Sequence, residues 1–311
     1  MHIAAYNGFP FHYEMFGYII EFCKNNHYEL TLFSGTSNDN GYFNYYDTIF
    51  NDYKYNTKEV SLFDTFKYTY DVIILITDDD PVFVRSDKLI NDKTICITHY
   101  YYNRNPNILN AIAVRPFRNI NLPDYALPVY AIFNKQYKQH NMITDAIHIT
   151  ILGDSATNYN TSVINRLQYY NKKIILHAIS RNMTKDKFIG INDSMELKIY
   201  RNIDIKEVLH ILSISSYMLT DITDAKDYVN SIMSGATPLA FSTLTPLIMS
   251  AKTNEYYKFK NIIEFDKDIS EHIVLRDIDI ELIEQERSNI LEKNNTLLNN
   301  YCDRIVGLMR K

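Results

Sequence analysis

Short apolar runs alternate with helix-length segments along this chain, and the alternation occurs twice. The clearest run, at residues 72–76, is apolar at every position, which is typical of a strand buried on both faces of a parallel sheet. An amphipathic segment at 13–24 places Phe16, Ile19, Ile20 and Cys23 on one helical face. Strands that alternate with helices in this way predict an α/β fold with parallel sheets. In the first half the predicted strands are residues 2–6, 29–34, 70–76, 94–98 and 111–114.

The alternation weakens at residues 119–143, which contain two prolines and no clear period, and then starts again. Predicted strands at 147–152, 173–179, 196–200, 216–220 and 238–241 and predicted helices at 160–170, 205–212 and 228–234 form a second doubly wound unit. A last helix at 279–309 carries apolar residues at Ile283, Ile290, Leu297, Tyr301, Ile305 and Leu308. We therefore expect two Rossmann-like domains, 1–140 and 141–275, facing a cleft, with a C-terminal helix at 276–311 that packs back across both.

Composition narrows the class of protein. The net charge of −5 disfavours a nucleic-acid partner, which requires a clustered positive surface. No apolar run reaches the roughly 20 residues of a membrane span, and the N-terminus lacks the pattern of a signal peptide. Three widely spaced cysteines indicate neither a disulfide framework nor a zinc site. These observations predict a cytoplasmic protein in a reducing compartment.

Titratable side chains follow the strands of the first domain. In an open parallel sheet the ligand binds beyond the carboxyl ends of the strands, so residues at those ends are candidates for function. A histidine paired with a carboxylate is a workable general base, although an aspartate after a strand often only caps the next helix. The candidates for catalysis are His12, Asp78, Asp79 and His99, and those for acceptor binding are Glu14, Tyr100, Arg104 and Arg115.

The strand ends of the second domain carry small, hydroxyl and acidic residues. Small residues let a backbone approach a phosphate, and Arg181 could neutralise its charge. A tight turn between strand and helix explains Gly153-Asp154-Ser155 equally well. The candidate donor-binding residues are Gly153, Asp154, Ser155, Arg181, Asp221, Thr223, Asp224, Gly235, Ala236 and Thr237.

The stretch NSIMSGATPLAFS at residues 230–242 resembles the helix, small-Gly-x-Pro turn and strand of retaining glycosyltransferases of the GT-B fold. The resemblance covers nearly the whole chain and implies that this turn approaches the diphosphate of a nucleotide sugar. His12 resembles the base of inverting members, and His99 resembles the histidine that retaining members carry after a later strand. The resemblance implies transfer from a UDP- or GDP-sugar to a glycan or other small acceptor, with no metal and no further cofactor.

Two alternatives remain at this point. YDVIILITDDD at residues 70–80 also resembles the strand and Asp-x-Asp of metal-dependent GT-A enzymes, which would use Asp78–Asp80 to hold Mg²⁺ or Mn²⁺ with the donor. The second alternative is a GT-B-derived binding protein without catalysis. It is motivated by Asn230, which stands where the family has a ribose-binding Glu, and by the absence of Arg and Lys from residues 153–161.

Overall fold

The chain divides into two compact units in a computed structural model. Unit 1 comprises Met1–Tyr130 and Ile290–Lys311, and unit 2 comprises Ala131–Asn289. The structure describes residues 1–9, 12–35, 39–77, 92–99, 110–116, 125–142, 145–153, 159–169, 172–222 and 234–309. Within those ranges no helix has both the length and the apolar character needed to cross a bilayer.

Unit 1 is built on a parallel six-stranded sheet with the order β3-β2-β1-β4-β5-β6. The predicted first helix is present, and the four residues assigned to its apolar face are all fully buried. The strands are β1 (His2–Asn7), β2 (Glu29–Ser34), β3 (Asn56–Glu59), β4 (Val72–Leu75), β5 (Thr94–Thr98) and β6 (Asn110–Ala113). The helices are α1 (Glu14–Asn25), α2 (Tyr42–Ile49) and α3 (Phe63–Phe66), with 3-10 turns at Val60–Leu62 and Lys67–Thr69.

Unit 2 contains a second parallel six-stranded sheet, with the order β10-β9-β7-β11-β12-β13, and a small parallel pair of β14 and β8. Its strands are β7 (Ala146–Leu152), β8 (Leu167–Gln168), β9 (Lys173–Ser180), β10 (Met195–Arg201), β11 (Tyr217–Leu219), β12 (Leu247–Ser250), β13 (Ile263–Phe265) and β14 (Ile273–Val274). Its helices are α4 (Lys135–Asn141), α5 (Thr161–Asn165), α6 (Ile205–Ile214), α7 (Ala236–Ser242) and α8 (Ala251–Tyr257), with a 3-10 turn at Lys185–Phe188. Two doubly wound parallel sheets confirm the predicted fold class.

The long last helix, α9 (Ile280–Met309), is also present. Within unit 2, Arg287 of this helix donates to the carbonyl oxygen of Phe133 at 2.7 Å. Within unit 1, Asn294 donates to the carbonyl oxygen of Leu127 at 2.6 Å, and Cys302 and Ile305 are buried. Leu308, one of the apolar residues named in this helix, is 61% exposed, and Met309 is 38% exposed, so the last turn of α9 is not packed.

Three predicted elements of unit 2 are wrong in type or extent. The apolar run at 238–241 is not a strand but lies in α7, where Pro238 occupies the first turn and removes an N–H that has no partner within the helix. The strand of this region is β12, which follows α7. The helix expected at 160–170 ends at Asn165, and the expected linker at 119–143 includes α4.

The order of strands reverses once in each sheet. In unit 1 the reversal lies between β1 and β4, and in unit 2 it lies between β7 and β11. Helices that follow these strands leave on opposite faces, so a crevice opens beyond the carboxyl ends at each reversal. The residues that follow β1, β4 and β5 in unit 1, and β7 and β11 in unit 2, are therefore the ones placed to meet a ligand.

Candidate active site

His12 and Glu14 form a hydrogen-bonded pair where the chain turns from β1 into α1. The Nδ1–H of His12 donates to Oε1 of Glu14 at 3.2 Å. His12 has a left-handed backbone with φ of 67°, which is uncommon for a residue other than glycine and is frequent at functional sites. Because an ionised carboxylate only accepts hydrogen bonds, Nε2 is the nitrogen of neutral His12 that carries the lone pair. This pair has the chemistry of an oriented general base.

Glu14 has a pKa below its ordinary value. Burial raises that pKa, but the hydrogen bond from His12, the positive charge that His12 can carry and the backbone N–H of Glu14 together lower it further. The side chain of Glu14 is 38% exposed, so solvent screens much of this interaction. The carboxylate is ionised near neutral pH, as an acceptor for a histidine N–H must be.

His99 follows β5 and is buried. Its Nε2–H donates to the carbonyl oxygen of Ile76, the residue after β4, at 3.0 Å. Burial lowers the pKa of His99 to about 3, with a further lowering from the neighbouring charge of His12. His99 is therefore neutral at physiological pH, and its Nδ1 is the acceptor side of the ring. A group this weakly basic is suited to accepting a hydrogen bond rather than to removing a proton.

The rings of His12 and His99 are in contact. Their centroids are 4.6 Å apart and their planes are inclined by 51°. The strands β1 and β5 that bring them together are separated in the sheet only by β4. The structure thus gathers three of the predicted site residues, His12, Glu14 and His99, beside the strand reversal of unit 1, and we refer to them as the histidine cluster.

Arg115 lies at the end of the neighbouring strand β6. Its side chain is fully buried, and Nε donates to the carbonyl oxygen of Pro116 at 3.1 Å. A buried guanidinium at a strand end could hold an anionic group, but this contact to the backbone of the next residue also gives Arg115 a structural role. The predicted residues Asp78, Asp79, Tyr100 and Arg104 lie outside the described residues.

In unit 2, Gly153 and Asp221 lie at the carboxyl ends of β7 and β11, on either side of the strand reversal. Asp221 is buried and has a left-handed backbone with φ of 61°. Oγ of Ser250, at the end of β12, donates to Oδ2 of Asp221 at 3.4 Å. Arg181 follows β9, the other neighbour of β7, and is exposed. Three donor candidates thus share one sheet edge.

Gly235, Ala236 and Thr237 form the start of α7, where Ala236 and Thr237 are buried and Gly235 is exposed. Gly235 has φ of −58°, and a Cβ added to it would meet no atom of the described residues within 4 Å. Neither its backbone conformation nor packing against the described part of the chain therefore requires glycine here. The predicted residues Asp154, Ser155, Thr223 and Asp224, and also Asn230, lie outside the described residues.

Ser250 is the residue that the sequence analysis missed. It caps α8 by accepting from the backbone N–H of Thr253, and it contacts Asp221. Its signal was present, because a short apolar run at 247–249 precedes a serine that opens a helix. The assignment of the preceding apolar run, at 238–241, to a strand concealed it.

A cavity of about 230 Å³ lies elsewhere in unit 2, at the amino ends of β9 and β10. Its lining includes Lys172, Ile174 and Met195. These residues begin their strands, so the cavity is at the sheet edge opposite to Gly153 and Asp221. It does not form part of the candidate site.

Comparison with known proteins agrees with this architecture. AviGT4, a glycosyltransferase involved in avilamycin A biosynthesis, superposes with a TM-score of 0.61 at 9% identity, over 99% of this chain and 98% of that one. An α-glucosyltransferase in complex with UDP and a 13-mer DNA containing an HMU base gives 0.51 at 12% identity, over 96% and 94%. With the two six-stranded parallel sheets, these matches show that the chain has the GT-B glycosyltransferase fold.

No protein-family model matches the chain. No curated protein matches it either.

Proposed function

We propose that this protein is a glycosyltransferase that moves a sugar from a nucleotide-sugar donor to a hydroxyl acceptor. The observation that carries the proposal is the histidine cluster beside the strand reversal of a GT-B sheet, with an oriented His12–Glu14 pair in contact with a neutral His99. A fold alone does not define an activity, whereas the chemistry of these three residues supports proton transfer from an acceptor hydroxyl.

In the proposed reaction His12 is the general base. Its Nε2 takes the proton of the acceptor hydroxyl as the acceptor oxygen bonds to the anomeric carbon of the sugar. The bond from that carbon to the diphosphate oxygen breaks, and the nucleoside diphosphate leaves with the electron pair. Glu14 holds the imidazole by its Nδ1–H and stabilises the imidazolium that forms. His99 offers Nδ1 as an acceptor to a donor or acceptor hydroxyl.

Unit 2 would hold the nucleotide sugar. Gly153, Asp221 and Ser250 lie at its strand reversal, and the exposed Arg181 provides a positive charge for the diphosphate. Among the described residues nothing fills the space beside Gly235, which leaves room for a ligand to approach the backbone. A UDP- or GDP-sugar is the proposed donor, and no metal is assigned to the reaction.

A glycan or another small molecule is the proposed acceptor. The net charge of −5 does not favour nucleic acid, so the DNA of the structural neighbour is not carried over. The GT-A alternative is less well supported, because two complete parallel sheets are present where that class needs one.

The test is a screen of UDP- and GDP-sugars for binding by thermal shift and for donor hydrolysis by release of the diphosphate. We expect hydrolysis with at least one donor, and a fall of roughly 10²- to 10⁴-fold in His12→Ala. His99→Ala and Asp79→Ala are measured beside it. His210→Ala, which removes an exposed histidine on α6, is the matched control and should keep full activity.

Each contrary outcome identifies an alternative. Nucleotide binding without turnover of any donor would favour a binding protein. Loss of donor binding in EDTA with recovery in Mn²⁺ would favour the GT-A chemistry of Asp78–Asp80. Full activity of His12→Ala would show that His12 is not the general base.

A further inference from the structure

One edge of the sheet in unit 2 is formed by β10. This seven-residue strand pairs with β9 on one side, and in the described part of the chain no strand pairs with its other side. Its first six residues are all partly exposed rather than buried. An unpaired edge of this length presents a row of backbone N–H and C=O groups that another strand can bind.

The two faces of β10 differ in character. Met195, Leu197 and Ile199 pack against the hydrophobic core of unit 2. Glu196 and Lys198 alternate with them and therefore lie on the opposite face of the sheet. Nζ of Lys198 is 3.4 Å from Oε1 of Glu196. The strand thus carries one negative and one positive charge on the same face, on either side of Leu197.

The sequence of charges on β10 is self-complementary when two copies of the strand pair antiparallel. A twofold axis through Leu197 places Glu196 opposite Lys198 of the second copy, and Lys198 opposite its Glu196. The same register places Met195 opposite Ile199 of the second copy, and the two Leu197 side chains opposite each other. Cross-strand pairs of opposite charge and of apolar residues both stabilise a sheet.

Neighbouring registers lose this match. A twofold axis through Lys198 places the two Lys198 side chains opposite each other. An axis through Glu196 places the two Glu196 carboxylates opposite each other. Like charges directly opposite destabilise a sheet. A shift by one residue between the strands would put the core-facing side chains on the wrong face. A charge on an edge strand ordinarily blunts its pairing, but here the alternation of sign selects a single antiparallel register.

We infer that the β10 edge is an interface between two copies of this chain, with the twofold axis at Leu197. Two six-stranded sheets then continue as one across the interface. Glu196 of each copy also contacts Lys173 of its own chain at 2.6 Å, so each pair across the axis would join an existing ion pair. One strand per copy buries a small area, so we expect a weak dimer with a dissociation constant in roughly the micromolar range.

Charge reversal tests this inference. The molecular mass of the full chain is measured by sedimentation equilibrium from about 1 to about 200 µM. Glu196→Lys and Lys198→Glu each turn two symmetry-related attractions into repulsions, so each should weaken the dimer at least ten-fold, or about 1.4 kcal/mol. Lys206→Glu changes charge equally on the exposed side of α6 and should dimerise as the wild type does.

The decisive samples restore complementarity. Glu196→Lys combined with Lys198→Glu in one chain should dimerise again, and a mixture of the two single variants should form a heterodimer although each alone does not. Circular dichroism of each variant separates loss of pairing from loss of fold. A wild type that stays monomeric throughout, single variants that dimerise undiminished, or a mixture that stays monomeric would overturn the inference.

Discussion

Gly17 lies in the interior of α1, and the ring of Tyr130 occupies the space that a side chain at position 17 would take. A Cβ at this position would lie 2.6 to 2.8 Å from three atoms of that ring, which is well inside van der Waals contact. Tyr130 is 2% exposed and packs against Tyr46 and Phe50, with ring centroids 6.0 and 6.4 Å away. The ring therefore cannot withdraw without displacing other buried aromatic side chains.

The effect of Gly17→Ala follows from two opposing contributions. Alanine in place of glycine in a helix interior stabilises by about 0.5–1 kcal/mol. Overpacking a buried site costs about 1–3 kcal/mol, and a contact of 2.6 Å belongs at the upper end. We expect a net fall of about 2 kcal/mol in the free energy of unfolding.

Gly307→Ala in α9 is the matched control. A Cβ there would meet none of the residues that the structure describes within 4 Å, so the helix preference acts alone and should stabilise by up to about 1 kcal/mol. Urea unfolding followed by circular dichroism and tyrosine emission measures both, since the chain has no tryptophan. The two variants should shift the midpoint in opposite directions.

The steric argument can be refuted directly. If Gly17→Ala were as stable as Gly307→Ala, the contact with Tyr130 would not limit the site. A double-mutant cycle adds a second check, because Tyr130→Leu removes the ring atoms near Gly17. Alanine at position 17 should then cost less than it does in the wild-type background.

Three further predictions concern buried polar groups and the donor side. Lys138→Met removes three hydrogen bonds that Nζ donates, to the carbonyl oxygens of Leu212 and Ser215 and to Oγ1 of Thr245. The free energy of unfolding, measured in urea, should fall by about 3–5 kcal/mol. Lys206→Met on an exposed helix face should change stability by less than about 0.5 kcal/mol, and equal effects would contradict the structural role of Lys138. His177 is buried against His148, and burial lowers the pKa of His177 to about 4, below the ordinary histidine value. As the pH falls, the imidazole of residue 177 is therefore protonated in the unfolded chain before it is protonated in the folded one. The contribution of His177 to the free energy of unfolding is full above about pH 6.5 and falls as the pH drops towards 4. In His177→Gln the free energy of unfolding should decline less steeply between pH 7 and 5. An unchanged slope would contradict a role of His177 in the pH dependence. Gly235→Ala should leave the thermal midpoint unchanged but weaken UDP binding in calorimetry at least ten-fold, about 1.4 kcal/mol; unchanged affinity would place the donor elsewhere.

The sequence predicts the fold well because both sheets are parallel and their inner strands are buried on both faces. Continuous apolar runs such as 72–76 identify such strands without knowledge of their neighbours. Periodicity fails where a segment is short. The apolar run at 238–241 fits a buried strand and a helical turn equally well. Only the place of Pro238 in the first turn of α7 distinguishes the helix from the strand. Apolar character likewise does not show where packing stops: Leu308 and Met309 lie in the exposed last turn of α9.

The candidate site was predictable in part. His12 and His99 could be selected because each follows a strand of one parallel sheet, and the sheet order then brings them into contact. The bond from His12 to Glu14 could not be predicted, because it depends on the left-handed backbone at His12. The sequence likewise gives no indication that burial makes His99 a weak base.

The division of the chain also sets an order of events during synthesis. Unit 2 is one uninterrupted stretch, whereas unit 1 contains the end of α9, which is translated after unit 2. A growing chain can therefore complete unit 2 while Asn26 and Tyr28, near the start, still lack the asparagines 295 and 299 to which they bond. Residues near the start of unit 1 are therefore made before unit 2 but reach their partners on α9 only after it. Until then the surface of unit 1 that receives α9 is open to chaperones and proteases.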